Sequence, residues 1–319
     1  MAPLFKHEFS SMGCPCELQF YAQSTVLGRD GIELATSEVC RLDQKYSHYR
    51  EDSLLSAIQA KATQAGGVVV DDETAALLDY ADTQYHVSGG LFDVTARSLS
   101  ALWDGITSIP RQDEINEALR ISGWEQVAWD GHTLEIPTGL AFDLGGIVKE
   151  YAADRVAGML KQAGIQSGFI DLGGDLHILG PHPDGTPWRA GIRDPDGSGN
   201  ALATIGIRSG GLASSGDYER FSEIGGKRYG HIINPKTGWP VSASGASLAS
   251  VSILAPSCLL AGSVSTLAIL AGAEKGLNLL GESGLPWLAV GHDGLIHGTL
   301  DLSRAWPAPT VGGRHAADG

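Results

Sequence analysis

Two bends of the same composition flank one helix-forming stretch, and no other feature restricts the fold of this chain as much. Asp143-Leu144-Gly145-Gly146 ends an apolar run and opens a segment of helical spacing, and Asp171-Leu172-Gly173-Gly174-Asp175 ends the next apolar run. A glycine pair lets the backbone turn sharply or lets a ligand approach it closely. The first N–H groups of a helix lack partners and favour anions, and Lys149 adds a positive charge in that first turn. The first bend therefore reads as a candidate phosphate site, and the second as a hairpin turn or a second wall of that site. Neither bend fits G-x-G-x-x-G or the loop that ends in Gly-Lys-Ser/Thr, which disfavours a Rossmann dehydrogenase.

The chain holds 43 glycines in 319 residues, nearly double average usage, many of them in clusters at the ends of apolar runs. Hydrophobic residues make up 43%, enough for a sizeable core. A net charge of −15 excludes duplex nucleic acid as a partner but leaves a local phosphate site open. Residues 1–10 carry one Lys and no apolar run of signal-peptide length, and the most apolar segment, 258–271, is too short to span a bilayer. The expectation is a cytoplasmic protein with no membrane partner. Cys14 and Cys16 fall in a strand, Cys40 and Cys258 on apolar helix faces, and none has zinc-ligand spacing, so buried thiols are expected.

Apolar spacing predicts helices over 31–46, 73–87, 111–122, 147–163 and 256–271, with Ile147, Tyr151, Arg155, Met159 and Ala163 sharing a face of the fourth. Strands are predicted over 17–22, 168–172, 176–179, 189–193, 201–207, 227–233 and 247–254. Their irregular alternation with the helices indicates an α+β fold, not a doubly wound parallel sheet. A single domain over 1–300 and a Pro-, Gly- and Ala-rich tail over 301–319 are expected. His231 lies in the apolar run 227–233, where a structural role and a proton-transfer or phosphate-contacting role are both open.

Several short pieces now fall into one order. They are Ser11-Met12-Gly13, Ser47-x-Tyr49, Gly90-Leu91-Phe92-Asp93-Val94-Thr95, Asp143-Leu144-Gly145-Gly146-x-x-Lys149, Leu172-Gly173-Gly174-Asp175, Gly191-Ile192-Arg193-Asp194-Pro195, Ser215-Gly216-Asp217-Tyr218 and His231-Ile232-Ile233-x-Pro235-x-Thr237-Gly238. In that order they resemble the ApbE family of FAD:protein FMN transferases, over about 12–271. The resemblance implies mixed sheets with packed helices, FAD as substrate and magnesium as cofactor. It also implies transfer of FMN to a Thr or Ser hydroxyl of an acceptor protein with release of AMP. Carried over, Met12, Tyr49, Leu91, Phe92, Asp93, Asp143, Lys149 and Ile233 would contact FAD. The metal would be held by the carbonyl of Gly146 and by a helix that here offers Ser265 and Thr266. Residue chemistry nominates His231 or Asp217 to take the hydroxyl proton.

The chain departs from the family pattern in two places that bear on the metal. Gly262 stands where the family has a metal-binding Asp, one helical turn before Thr266, and Glu150 stands where it has a Gly after the lysine. Hydroxyls without a carboxylate are poor magnesium ligands. Glu150, a carboxylate close to the candidate phosphate site, either faces solvent, which is the first expectation, or compensates for Gly262; Gly262→Asp should raise turnover if the missing ligand is limiting. Besides a transferase, the sequence admits a flavin-binding member without transferase activity and a pyrophosphatase that splits FAD into FMN and AMP. Milder departures are Cys14 for Thr and Asn234 for Asp.

Overall fold

Every second residue in the middle of Cys14–Tyr21 is buried, with Cys16, Leu18 and Phe20 facing inward, as a strand with one covered face requires. The computed structural model describes residues 2–196, 199–218, 220–244 and 247–300; the tail expected over 301–319 lies outside the described residues. One large sheet carries β1 (Leu4–Ser11), β2 (Cys14–Tyr21), β3 (Ser167–Leu172), β4 (Asp175–Gly180), β5 (Gly210–Gly216), β6 (Leu248–Ala255), β7 (Trp287–Gly291) and β8 (Ile296–Gly298). These strands lie side by side in chain order, and all their pairings are antiparallel.

Between β2 and β3 the chain leaves the sheet to form α1 (Thr25–Tyr46), α2 (Leu54–Ala62), α3 (Asp72–Val87), α4 (Arg97–Trp103), α5 (Gln112–Arg120) and α6 (Val148–Gln162). Between β6 and β7 it forms α7 (Cys258–Ala271) and α8 (Ala273–Glu282). Helices cover one face of the sheet, where Leu18, Phe20 and Ile170 share a core with Val39, Ala153 and Ala268. The hairpin of Trp188–Arg193 and Ala201–Ile207 covers the other face, around Ile178, Ile205 and Leu212. Strand β7 shows both layers, with Trp287 and Ala289 toward the helices and Leu288 and Val290 toward the hairpin. A satellite cluster of Leu99, Trp103, Ile115, Tyr229 and Ile233 ties α4 and α5 to the chain after Lys227–Gly230.

The α+β expectation holds. The inward face of α6 is not the one predicted. Its buried residues are Val148, Glu150, Ala152, Ala153, Val156, Ala157 and Leu160, while Arg155 and Ala163 are exposed. Alanines make this the close-approach face, and the longer side chains go to its flanks, where Tyr151 and Arg155 bond Glu73 and Glu38. Cys40 is exposed, one position off the Val39–Leu42 face of α1. The strand predicted over 227–233 stops at Gly230, so His231 lies beyond its end and is exposed.

Candidate active site

Pairing of β2 with β3 sets Cys16 opposite Leu172 and so brings the β1–β2 turn beside the β3–β4 turn. The Gly173 N–H donates to the Pro15 carbonyl at 2.9 Å. A Cβ at Gly173, with φ +65°, would lie 2.8 Å from that of Cys14, so the contact needs glycine. Met12, at the tip of the first turn, holds a φ of 52°, which is uncommon for a residue with a side chain. Its N–H and the Ser11 hydroxyl both donate to Asp43 Oδ2 at 3.0 Å, so α1 fixes the turn.

The start of α6 is tied to the same place. Asp175 opens β4 and is 3% exposed; its Oδ1 accepts the Ser214 N–H at 3.1 Å, and its Oδ2 accepts a close ion pair from Lys149 Nζ. Burial alone would push the Lys149 ammonium down, but the Asp175 and Glu150 carboxylates hold it above the ordinary lysine value. The Cys14 thiol is lowered to about 7, first by its bond with Cys16, against burial, with help from Lys149 and Arg220. Burial pushes the Asp171 carboxyl up to about 6 although the Gly174 N–H donates to it. Both acidic bends and the Met12 turn thus meet around Lys149.

A second wall comes from the loop before α4. The Asp143 N–H donates to the Val94 carbonyl at 2.8 Å, and Phe92 is the side chain nearest Gly146, 3.8 Å from where a Cβ there would sit. Asp143 Oδ1 accepts the Gly145 N–H at 2.8 Å and pairs with His48 Nδ1 at 3.0 Å. Tyr49 packs against His48 with the rings tilted by 42° and is 78% exposed, and Leu91 packs at the margin of the main core. The Asp93 carboxylate holds its own loop, accepting from Thr95 N–H and Oγ1 at 2.8 and 2.6 Å and from Trp124 N–H at 3.4 Å. Ile233 is set apart, buried in the satellite cluster, although the neighbouring Lys236 Nζ abuts Gly90 just before Leu91.

The third wall is α7. Ser215 Oγ, on β5, lies 2.8 Å from both Ser265 Oγ and Thr266 Oγ1, and Ser265 Oγ donates to the Gly262 carbonyl at 2.9 Å. Asp154 of α6 accepts the Cys258 and Leu259 N–H groups at 2.7 and 2.9 Å and pairs with His177 at 2.6 Å, which docks the start of α7 on α6. Glu150 does not face solvent: it is 8% exposed, and burial pushes its carboxyl up to about 8. A Cβ at Gly262 would lie 2.7 Å from Glu150 Cγ, so an Asp added there must displace Glu150. An Asp at 262 would therefore compete with Glu150 for the same space. Among the described residues no three His, Cys, Asp or Glu side chains form a metal cage. The donors gathered here are oxygens, and Glu150 Oε2 is buried with no hydrogen-bond partner, a set that suits a hard cation sharing its coordination with phosphate.

Asp217 is buried at the end of β5, pairs with His292 Nε2 at 3.4 Å and packs beneath Gly230, beside His231. The N–H of His231 donates to the Arg220 carbonyl at 3.1 Å. The bond to Asp217 raises the His292 imidazole above its ordinary 6.5. Since the folded value exceeds the unfolded one, the pair's stabilisation is complete below the unfolded value and fades as pH rises through the folded value. The melting-temperature advantage of the wild type over His292→Gln should therefore be full below the ordinary imidazole value and shrink as pH rises above it, and a constant difference would contradict it. Asp43, His48, Asp154 and His292 have no counterpart in the sequence reading, and Ser215 appears there only within the Ser215-Gly216-Asp217-Tyr218 piece. Of those four, Asp154 alone leaves a trace in the sequence, as a carboxylate next to the Ala152-Ala153 pair.

Grooves of ≈ 310 and ≈ 480 Å³ run along α1, both lined by Glu33 and Ser37, and neither is lined by Lys149, Asp175 or any residue of the three walls described above. The chemistry sits instead where three glycine-bearing turns, a helix start and a hydroxyl-bearing helix meet. Fold and site together define an α+β protein in which glycine-bearing turns and a lysine are grouped at a helix start. The ApbE family model matches residues 12–288, and the chain belongs to the ApbE family. It is 33% identical over 295 residues to the FAD:protein FMN transferase of Treponema pallidum, covering 85% of this chain and 80% of that protein. It is 30% identical to the Vibrio cholerae protein of the same name, covering 88% and 85%. The crystal structure of the ApbE protein of Thermotoga maritima superposes with a TM-score of 0.84 at 28% identity, covering 93% of this chain and 97% of that one. The flavin transferase ApbE from Vibrio cholerae gives 0.79 at 27%, covering 95% and 100%.

Proposed function

We propose that this chain is an FAD:protein FMN transferase that moves FMN from FAD onto a Thr or Ser hydroxyl of an acceptor protein and releases AMP. The observation that carries the reading is the Lys149–Asp175 ion pair, which joins the glycine bend before α6 to the glycine bend after β3. Lys149 and the start of α6 bind the diphosphate, and Met12, Tyr49, Leu91, Phe92, Asp93 and Asp143 frame the rest of FAD, with Ile233 behind them on the segment whose Lys236 abuts Gly90. The acceptor hydroxyl attacks the FMN-side phosphorus, a new P–O bond forms, and the bond to the AMP oxygen breaks. His231 takes the hydroxyl proton, since it is exposed where an acceptor can reach it. Asp217, buried beside it and paired with His292, orients that segment. Magnesium would be held by the Gly146 carbonyl and the Ser265 and Thr266 hydroxyls, and when bound would neutralise charge on the leaving phosphate. Cys14, Cys16, Cys40 and Cys258 are free thiols, which suits a reducing compartment and a cytoplasmic acceptor. No helix among the described residues is long and apolar enough to cross a membrane.

Incubation with FAD, magnesium and a Thr-bearing acceptor peptide tests the reading. Covalent FMN on the peptide, with AMP in equal amount, is expected. Free FMN with AMP would make the protein a pyrophosphatase, and unchanged bound FAD would make it a carrier.

A further inference from the structure

The two departures from the family pattern are spatial neighbours, although they lie more than a hundred positions apart in the chain. A Cβ built on Gly262 would meet Glu150 Cγ at 2.7 Å, Oε1 at 3.0 Å and Cδ at 3.1 Å. Glu150 therefore fills the volume that a side chain from position 262 would need. Its Oε1 lies 4.0 Å from Lys149 Nζ, and its Oε2 is buried without a hydrogen-bond partner. A buried carboxylate oxygen without a donor is costly and calls for a ligand. The hydroxyls of Ser265 and Thr266 lie on the same helix as Gly262, one turn further along. Against the pattern that the resemblance implies, an acid at 262 and a glycine at 150, this chain has the acid on α6 and the glycine on α7.

We propose that Glu150 supplies the carboxylate for the divalent cation, in place of the Asp that position 262 lacks. This rests on the flavin-transferase reading above. Glutamate is one methylene longer than aspartate and starts from the neighbouring helix, so the carboxylate reaches the same space from the opposite side. The glycine at 262 is then what makes room for it, not a lost ligand.

Mn²⁺ serves as the probe, followed by electron paramagnetic resonance on the full chain with FAD present, beside calorimetry of FAD without metal. Glu150→Gln keeps the shape and should weaken Mn²⁺ binding by at least about tenfold, while metal-free FAD uptake stays within about twofold. Gly262→Asp alone should lower the melting temperature, because two carboxylates compete for one volume. Glu150→Gly combined with Gly262→Asp should regain both the melting temperature and the Mn²⁺ affinity. Undiminished Mn²⁺ binding in Glu150→Gln, or no recovery in a folded double variant, would overturn the proposal and leave the transferase reading standing. Failure of the wild type to take up FAD at all would overturn that reading as well.

Discussion

Lys149→Met should weaken FAD binding by about 100-fold, the loss expected for a charge-assisted contact to phosphate. It should also destabilise the fold by about 3–5 kcal/mol, because removing one partner of a buried pair strands the other charge. Asp175 is the charge left behind: 3% exposed, it keeps only the Ser214 N–H among its described donors. Glu150 beside it adds a second carboxylate to the same space. Denaturant unfolding and FAD calorimetry read the two effects separately. Adding Asp175→Asn to Lys149→Met should restore much of the stability and none of the affinity. Recovery of both would mean that Lys149 acts only by holding the fold, and an unchanged affinity in the single variant would remove it from the ligand site.

Asp154→Ala should cost about 3 kcal/mol of stability and lower transfer at least about tenfold, through loss of two N–H contacts, a helix-terminus charge and the His177 partner. Asp154 touches none of the residues proposed to contact FAD; it acts through α7. With its carboxylate removed, the start of α7 loses its anchor on α6, and the Gly262-to-Thr266 stretch is free to shift against Glu150 and Ser215. The expected signature is a fall in turnover larger than the change in FAD affinity, with the loss of stability visible in denaturant unfolding. A stability equal to the wild type's would contradict the anchoring role.

The sequence showed most of the site's local pieces, because glycine turns and helix starts have short-range causes. The bends at Gly145-Gly146 and Gly173-Gly174, Lys149 in a first turn, and Ser265 with Thr266 on one helix could all be read from neighbours in the chain. Pairings across the fold could not. Asp43 reaching the Met12 turn, Asp154 capping α7 and His292 meeting Asp217 each depend on which strands and helices become adjacent. Glu150 shows the limit most clearly. Next to a lysine near a helix start it reads as solvated, and only the small-residue contact of α6 with α7 turns it inward. The α6 face is hidden for the same reason: apolar spacing points to the larger residues, whereas close helix packing selects Ala152, Ala153 and Ala157.

The central claim is that the turns around Lys149 recognise the diphosphate of FAD. Calorimetry of the intact protein with FAD and with riboflavin, each without metal, tests it most directly. FAD should bind at least about 100-fold more tightly than riboflavin, because only FAD presents phosphate oxygens to the helix start and the lysine. Equal affinities would show that the isoalloxazine ring alone is recognised and that these bends do not grip phosphate.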